Sequence, residues 1–498
     1  MTSTSSTAAV GDRRWLALFV LLTAASMNLI DVTIVSVAMP SIQHGLRVDG
    51  AQAQWVLAAY SLPFAVGLIT GGRLGDIFGR RRLFTLGVLG FVLASTLCGV
   101  AQTPGVLIAG RAIQGVFAAA MMPQVLASIQ VLFTGDERAK ALGMWGMALG
   151  LATVGAPILG ALLLKLGLSW RPVFLVNVPV GALALAGAAA WVPESRSDDP
   201  LRLDGGGVTL CAAALLLLCY PLIEGRQLGW PAWCFVMIAG AVPALGLFAL
   251  HQRRIGPDGS PLVPLGLFTE RGFTGGLLIG LVFFSGIVGF GLVLQLTLQE
   301  GLGYSAMHGA LTVLPFSVGI VVASPLAMQL VSRLGRRLVA LGAGAMVVGS
   351  VAVIVAVRGA GAGLTTWELL PGMVICGLGV GAVAPTLTNV ALAQVRGAEA
   401  GAASGVIGSA NQVGSAVGIA TMAAVFLGLL PRGGVPHPAH DYTAALGGAM
   451  WYELGVFALS LVLVVFLPAG APAPVAASSV RVAAAPPPPE RAVEKVVS

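Results

Sequence analysis

Fourteen stretches of this chain stay apolar for about twenty residues or slightly more, the length a helix needs to cross lipid. They fall near residues 15–38, 53–71, 83–102, 106–128, 141–164, 172–192, 207–224, 232–251, 273–298, 309–331, 338–357, 368–392, 401–428 and 450–468. Backbone amides in hydrocarbon must be satisfied within their own segment, so each run is expected as a helix. Pro63, Pro123, Pro157, Pro315, Pro325 and Pro385 lie inside runs and are expected to kink helices that pack on neighbours. With 57% hydrophobic residues and a mean hydropathy of +0.92, too little polar surface remains to coat a soluble core. The fold class expected is an all-α polytopic membrane protein. Trp15 onward reads as a retained first span, because Met1 to Asp12 contains no apolar run ending in a cleavage site.

Charge sets the orientation. Loops on the side of the N-terminus hold 17 Lys and Arg and the opposite loops hold 6, before three more in the C-terminal tail. That asymmetry predicts both termini in the cytoplasm. The net charge of +7 is dispersed over short loops and reads as topology, not nucleic-acid binding. The five Cys sit in apolar runs without ligand spacing, so core or lipid-facing thiols are expected, with no metal and no cofactor. The segment Pro431 to Gly448, with His437 and His440, is expected as a solvated outer loop, and the Ala/Pro/Val tail from Ala469 as disordered.

The densest charge lies between the second and third runs, in Gly72-Arg73-Leu74-Gly75-Asp76-Ile77-Phe78-Gly79-Arg80-Arg81-Arg82. Such a cluster is expected as a short turn at the membrane surface. Its glycines let two helix ends approach, and Asp76 can meet an Arg or the positive end of the next helix.

The chain also repeats itself. At a separation of 262, Gly115 matches Gly377, Pro123 matches Pro385, Glu137 matches Glu399, Gly143 matches Gly405 and Gly146 matches Gly408. At a separation of 256, Gly79-Arg80-Arg81 matches Gly335-Arg336-Arg337, with Ser332 in the place of Asp76. Two six-helix halves in parallel orientation follow, with two extra helices between them. The expected division is a cytoplasmic N-terminus (1–14), an N-terminal bundle (15–192), a linker with two inserted helices (193–272), a C-terminal bundle (273–468) and a tail (469–498).

Loop, repeat and insert together resemble the fourteen-helix drug:proton antiporters of the major facilitator superfamily, over roughly residues 15 to 468. Leu29 to Pro40 is close to that group's first-helix motif, and Arg111-Ala112-Ile113-Gln114-Gly115 to its intramembrane Arg motif. Gly155-Ala156-Pro157-Ile158-Leu159-Gly160 is like the antiporter motif, with Ala156 where Gly is usual. Ser169 to Pro179 matches the segment that leads into the sixth helix, and Ile223-Glu224-Gly225 with Gly229-Trp230 the turn between the inserted pair. The resemblance implies alternating access, with the latch formed by Gly72, Gly75, Asp76, Gly79, Arg80 and Arg81.

Only Asp31 and Arg111 are ionisable residues clearly inside spans. Intramembrane charge is expensive and defaults to a functional reading. Asp31 is expected to couple protons and Arg111 to tune it; a static ion pair that locks two helices is the other reading. Asp31 has no acidic counterpart near Ile287. Asn28, Gln114, Gln295, Asn389, Asn411 and Gln412 are candidate cavity residues, with interhelical hydrogen bonding as the alternative for each. Glu224, Glu300 and Glu453 are expected at solvated outer rims.

The function implied is proton-driven efflux of amphipathic, cationic compounds by a monomer in a bacterial inner membrane. The partners are a small-molecule substrate, protons and the bilayer. A dedicated exporter of one endogenous product and a non-transporting receptor are the other readings. No nucleotide loop, nucleophile elbow or metal cluster supports an enzyme.

Overall fold

The computed structural model describes residues 4–47, 50–165, 169–197, 202–225, 228–256, 260–431, 438–468 and 480–482. Among them fourteen helical segments are long and apolar enough to cross a membrane. The N-terminal half comprises α1 (Thr4–Leu46), α2 (Gly50–Phe78), α3 (Arg80–Gly99), α4 (Pro104–Leu132), α5 (Gly135–Lys165) and a sixth span made of α6 (Pro172–Leu175) and α7 (Asn177–Trp191). The inserted pair is α8 (Gly205–Glu224) and α9 (Ala232–Ile255). The C-terminal half comprises α10 (Arg271–Leu296), α11 (Ala306–Leu334), α12 (Arg336–Ala360), α13 (Thr366–Leu392), α14 (Ala400–Gly428) and α15 (Pro438–Leu463). Helices continue through Pro63, Pro123, Pro157, Pro315, Pro325 and Pro385.

The repeat is visible atom by atom. A Cβ on Gly115 of α4 would press on the Tyr60 carbonyl of α2, and one on Gly377 of α13 on the Phe316 carbonyl of α11. Gly143 and Gly146 of α5 meet Pro325 and Ser324 of α11, while Gly405 and Gly408 of α14 meet Ile69 and Leu68 of α2. These partners keep the separations of 262 and 256 read in the sequence. The halves therefore meet along two related seams, α2 on α14 and α5 on α11. The insert breaks the symmetry: α8 packs against α2 and α14, and α9 packs on α8.

Four boundaries differ from expectation. The stretch 72–82 is no surface loop. α2 runs to Phe78 and α3 starts at Arg80, so only Gly79 leaves the helix, at φ 105°. Glycine tolerates that conformation, and Asp76, Arg80 and Arg81 find partners on neighbouring helix ends, as described below. The last span begins at Pro438, so His440 lies on α15, while His437 is outside the described residues. α1 begins at Thr4, well before its apolar run. Val480–Val482 of the tail forms β2, paired antiparallel with β1 (Ser195–Ser197) through Arg196↔Arg481; the rest of the tail lies outside the described residues. The five Cys are buried free thiols.

Asp204 caps α8, accepting from the Gly207 N–H at 2.8 Å and Gln252 Nε2 at 2.8 Å, with His251 Nε2 at 2.9 Å. Burial alone would push its carboxyl up. The hydrogen bonds and the His251 charge outweigh burial and hold it below the usual carboxylate value.

Candidate functional site

Every long helix leaves its first N–H groups and last carbonyls unpaired, so charges collect where helix ends meet. On the face that carries Gly79, two such meetings cross from one half to the other. Asp76 is fully buried on α2. Its Oδ1 accepts from Arg80 at 2.6 Å and from the Gly401 N–H at 3.0 Å, and its Oδ2 from the Ala402 N–H at 2.9 Å. A carboxylate from the N-terminal half thus caps α14 of the C-terminal half, where the helix dipole favours negative charge. This is a more distant helix end than the next one along the chain. Arg80 also donates to the Gly397 carbonyl at 2.6 Å. Gly72 and Gly401 let the two backbones touch: a Cβ on either would lie within 2.3 Å of the other's carbonyl oxygen. A Cβ on Gly75 would collide with the Gln124 side chain. Arg81 stays within its half, with its backbone N–H on Glu194 at 3.1 Å and its guanidinium on the Ala189 carbonyl at 3.0 Å.

The second crossing belongs to α4 and α5. Arg138 Nε donates to Asn389 Oδ1 at 3.2 Å, and Arg138 donates to Gln130 Oε1 at 3.2 Å. Gln130 in turn donates to the Leu392 carbonyl at 2.6 Å. Asn389 therefore stands in the seam near the Gly79 face. Arg138 and Gln130 were not foreseen in the sequence. Arg138 reads there as one more basic loop residue, because nothing local shows that α13 ends beside it.

Asp31 and Arg111 meet deep in the N-terminal half, both buried. Arg111 donates to Asp31 Oδ2 at 2.5 Å, to Gln114 Oε1 at 2.7 Å and, through Nε, to the Val56 carbonyl at 3.2 Å. Its guanidinium lies 4.3 Å from the Tyr60 ring centroid, a cation–π contact. Asp31 Oδ1 accepts from Gln114 Nε2 at 2.9 Å and Asn177 Nδ2 at 2.7 Å. Asn177 also donates to Ser95 Oγ at 2.9 Å, and Ser95 to the Phe174 carbonyl at 2.9 Å. Asn28 accepts from the Tyr60 hydroxyl. Five helices, α1, α2, α3, α4 and α7, thus converge on one carboxylate through direct or relayed bonds. Such a network is strong when complete and costly when broken. Asn177 and Ser95 extend the pair the sequence points to. Their signal was weak but present: each is a polar residue inside an apolar run.

A groove of about 420 Å³ opens between α1, α5 and α7, lined by Met27, Ile30, Met144, Met147 and Leu159 and reaching Asn177. Its volume suits a drug-sized molecule. Other expected residues lie elsewhere. Gly160 packs α5 on α1 against Ile34, Gly155 has open space beside it and Pro157 is inside α5. Gln295 accepts from Gln299 at 3.0 Å near the end of α10. Asn411 faces Gly280 of α10, and Gln412 is half-buried on α14. Of the three supposed rim acids, Glu300 is exposed, but Glu224 and Glu453 are buried. Helix packing covers them: Glu453 lies well inside α15, which begins at Pro438 and not near 450, while Glu224 is buried although α8 ends at it.

The pattern that defines the Major Facilitator Superfamily matches residues 21–419. This chain belongs to that superfamily. A probable actinorhodin transporter of Streptomyces coelicolor is 41% identical over 84% of this chain and 73% of its own length. The puromycin resistance protein pur8 of Streptomyces alboniger is 36% identical over 91% of this chain and 90% of its own. The human organic anion transporter MFSD10 has the same fold, with a TM-score of 0.65 and 14% identity over 91% of this chain and 99% of its own. The superfamily member described here is a multi-pass membrane transporter of the drug and antibiotic efflux type and not an enzyme.

Proposed function

We propose that this transporter exports amphipathic, cationic compounds in exchange for protons, as a monomer in a bacterial inner membrane with both termini in the cytoplasm. The observation that carries the reading is the Asp31–Arg111 pair, a carboxylate and a guanidinium buried together inside the membrane. Among the described residues no other Asp or Glu inside the membrane is paired with a cation away from a helix end. A proton arriving at Asp31 cancels its charge, frees Arg111 and loosens five helices at once. A cationic substrate competes for the same carboxylate, and Asn177 connects that carboxylate to the groove. One charge crossing 100 mV is worth about 2.3 kcal/mol, enough for one proton per cycle to sustain a useful gradient.

With the Gly79 face in the cytoplasm, the Asp76 and Arg138 contacts hold the transporter shut on the inside. Alternating access then consists of the halves, residues 15–192 and 273–468, rocking about the linker 193–272 while these contacts break and reform. Gly72, Gly75, Gly79, Arg80 and Arg81 belong to this latch. Gly155, Pro157 and Gly160 shape α5, which lies against both α1 and the opposite half.

A second reading is favoured by one observation, the 41% identity to a probable actinorhodin transporter. It is export of a single endogenous product. Purified protein in liposomes with an imposed pH gradient separates the two. Gradient-driven movement of ethidium in the wild type, lost in Asp31→Asn with folding intact, supports the first. Equal transport by both proteins would remove Asp31 as the coupling site. No movement of ethidium by the wild type, together with transport of one compound from a natural-product panel, supports the second.

A further inference from the structure

Glu453 lies in the core of the C-terminal half, on α15, at 1% exposure. Its Oε2 has no partner in full hydrogen-bond geometry, and the Ser350 hydroxyl of α12, close to the carboxyl and to the Cys376 thiol of α13, is in the same position. Among the described residues no Lys, Arg or His pairs with it. The titratable and charged groups on the elements packed around α15 are few. α12 brings Arg336, which donates to the Leu467 carbonyl at 3.2 Å, Arg337, which is exposed, and Arg358, which is occupied over the Trp451 ring at 5.5 Å; the segment 297–301 brings Glu300, which is exposed, and the first turn of α15 itself brings His440 and Asp441, which pair with each other. α13 brings Cys376, α10 and α14 bring none at this level, and on α15 itself the neighbouring Tyr452 donates to Ser285.

The repeat says what this position is. Gly110 sits against Cys98 and the Ala94 carbonyl, and Gly372 against Val353 and the Gly349 carbonyl. Ser95 therefore corresponds to Ser350. Gln114 corresponds to Cys376 at the separation of 262 that relates α4 to α13. In the N-terminal half the residue on the sixth span that faces Ser95 and lies near Gln114 is Asn177. In the C-terminal half the residue on the sixth span that faces Ser350 and Cys376 is Glu453. A carboxyl occupies the place of a carboxamide.

An ionised carboxylate there would be an uncompensated charge inside lipid, whereas a neutral acid can share its O–H with Ser350. An amide would serve equally well as a fixed hydrogen-bonding group, as Asn177 does. What the acid adds is the capacity to lose its proton. We propose that Glu453 is a second proton-carrying site, on the C-terminal half and separate from Asp31. In each cycle the carboxyl O–H bond breaks and the proton passes to water entering from one face. The carboxylate then takes a proton from the other face. This rests on the proton-coupled reading above.

The test uses the full chain in liposomes with ethidium as the probe, counting protons moved per ethidium moved in wild type and Glu453→Gln. The expected result is a ratio lower by one proton in Glu453→Gln, with ethidium still transported. An unchanged ratio in Glu453→Gln, with a coupled wild type, overturns the proposal and leaves Asp31 untouched. A wild type that moves ethidium without protons overturns the coupling reading itself. If Glu453→Gln does not fold, infrared difference spectra of the wild type decide. A C=O stretch of a neutral carboxyl, insensitive to Asp31→Asn and lost on raising pH during turnover, supports the site. Its absence overturns it.

Discussion

The cores of the two halves are built on one scaffold and filled with different chemistry. On α4 and α13 the glycines that touch Tyr60 and Phe316 are in register, so the residues beside them can be compared directly. Arg111 and Gln114 of the N-terminal half become Met373 and Cys376. Asp31 becomes a position near Ile287, while Asn177 becomes Glu453. One half holds a complete charged network whose carboxylate has three N–H donors. The other holds a lone acid among apolar neighbours and an unpaired serine. The seams differ in the same way. Asp76 caps α14 at the α2 seam, while Ser332, its counterpart on α11, caps nothing at the α5 seam among the described bonds. Backbone geometry is thus duplicated, and charge is concentrated on one copy. That is the arrangement expected if the first half holds its acid in an ion pair and the second holds an acid that stays neutral until it gives up its proton.

The sharpest way to break this comparison is to give the first half the second half's residue. Arg111→Met leaves Asp31 buried without its cation, which should cost about 3–5 kcal/mol and show as a large loss of thermal stability in detergent. Adding Asp31→Asn removes the stranded charge, so the double variant should regain most of that stability while losing gradient-driven transport. A single variant as stable as the wild type would mean that the amides of Gln114 and Asn177, not Arg111, hold the carboxylate.

The seam comparison predicts a smaller effect. Asp76→Ser reproduces the C-terminal half's residue and removes three bonds that cross or support the α2–α14 contact. Unsatisfied donors at a buried helix end cost about 1–3 kcal/mol, so the population should shift toward opening at the Gly79 face. Alkylation of a cysteine placed at Ala402, in a chain with the five native cysteines replaced, should quicken in Asp76→Ser. An unchanged rate would show that Arg138 and Gln130 close that face without help.

Asn177→Ala should do less again. Asp31 keeps Arg111 and Gln114, and one net hydrogen bond is worth about 1 kcal/mol. Stability should fall by about that amount. Ethidium affinity should fall with it if the groove communicates with Asp31 through this amide.

How much of this was readable beforehand follows from the range of each interaction. The spans, the repeat and the Asp31–Arg111 pair come from long-range composition or from rare residues in lipid, and a single sequence displays both. The landing place of Asp76 was not readable, because the N–H groups of Gly401 and Ala402 lie more than three hundred positions away and carry no side-chain signal. For the same reason Arg138 reads in the sequence as a topology marker, and nothing local names it as the partner of Asn389. Glu453 was assigned to a solvated rim because its helix was expected to begin only three residues earlier, whereas it begins at Pro438. Error in one helix boundary displaced a residue from the core to the surface.

The inserted pair offers a control that belongs to neither half. Asp204 caps α8 and binds Gln252 of α9, so its carboxylate fastens the two inserted helices to each other at one end. Its carboxyl is held below the usual value, so its stabilisation is fully present above the unfolded carboxylate pKa of about 3.9. The stabilisation is lost as pH falls through the lower folded value. Hydrogen-exchange protection of the first turn of α8 should therefore be flat from neutral pH down to the carboxylate range and collapse below it. Asp204→Ala should lower it at every pH above that range by about 1 kcal/mol, as loss of an N-cap does. Coupled transport should be unaffected, since Asp31, Asp76 and Glu453 are untouched. If protection instead fell near neutral pH, the titrating group would be one other than Asp204. If transport fell with it, the insert would have to be counted as part of the α2–α14 seam that it covers.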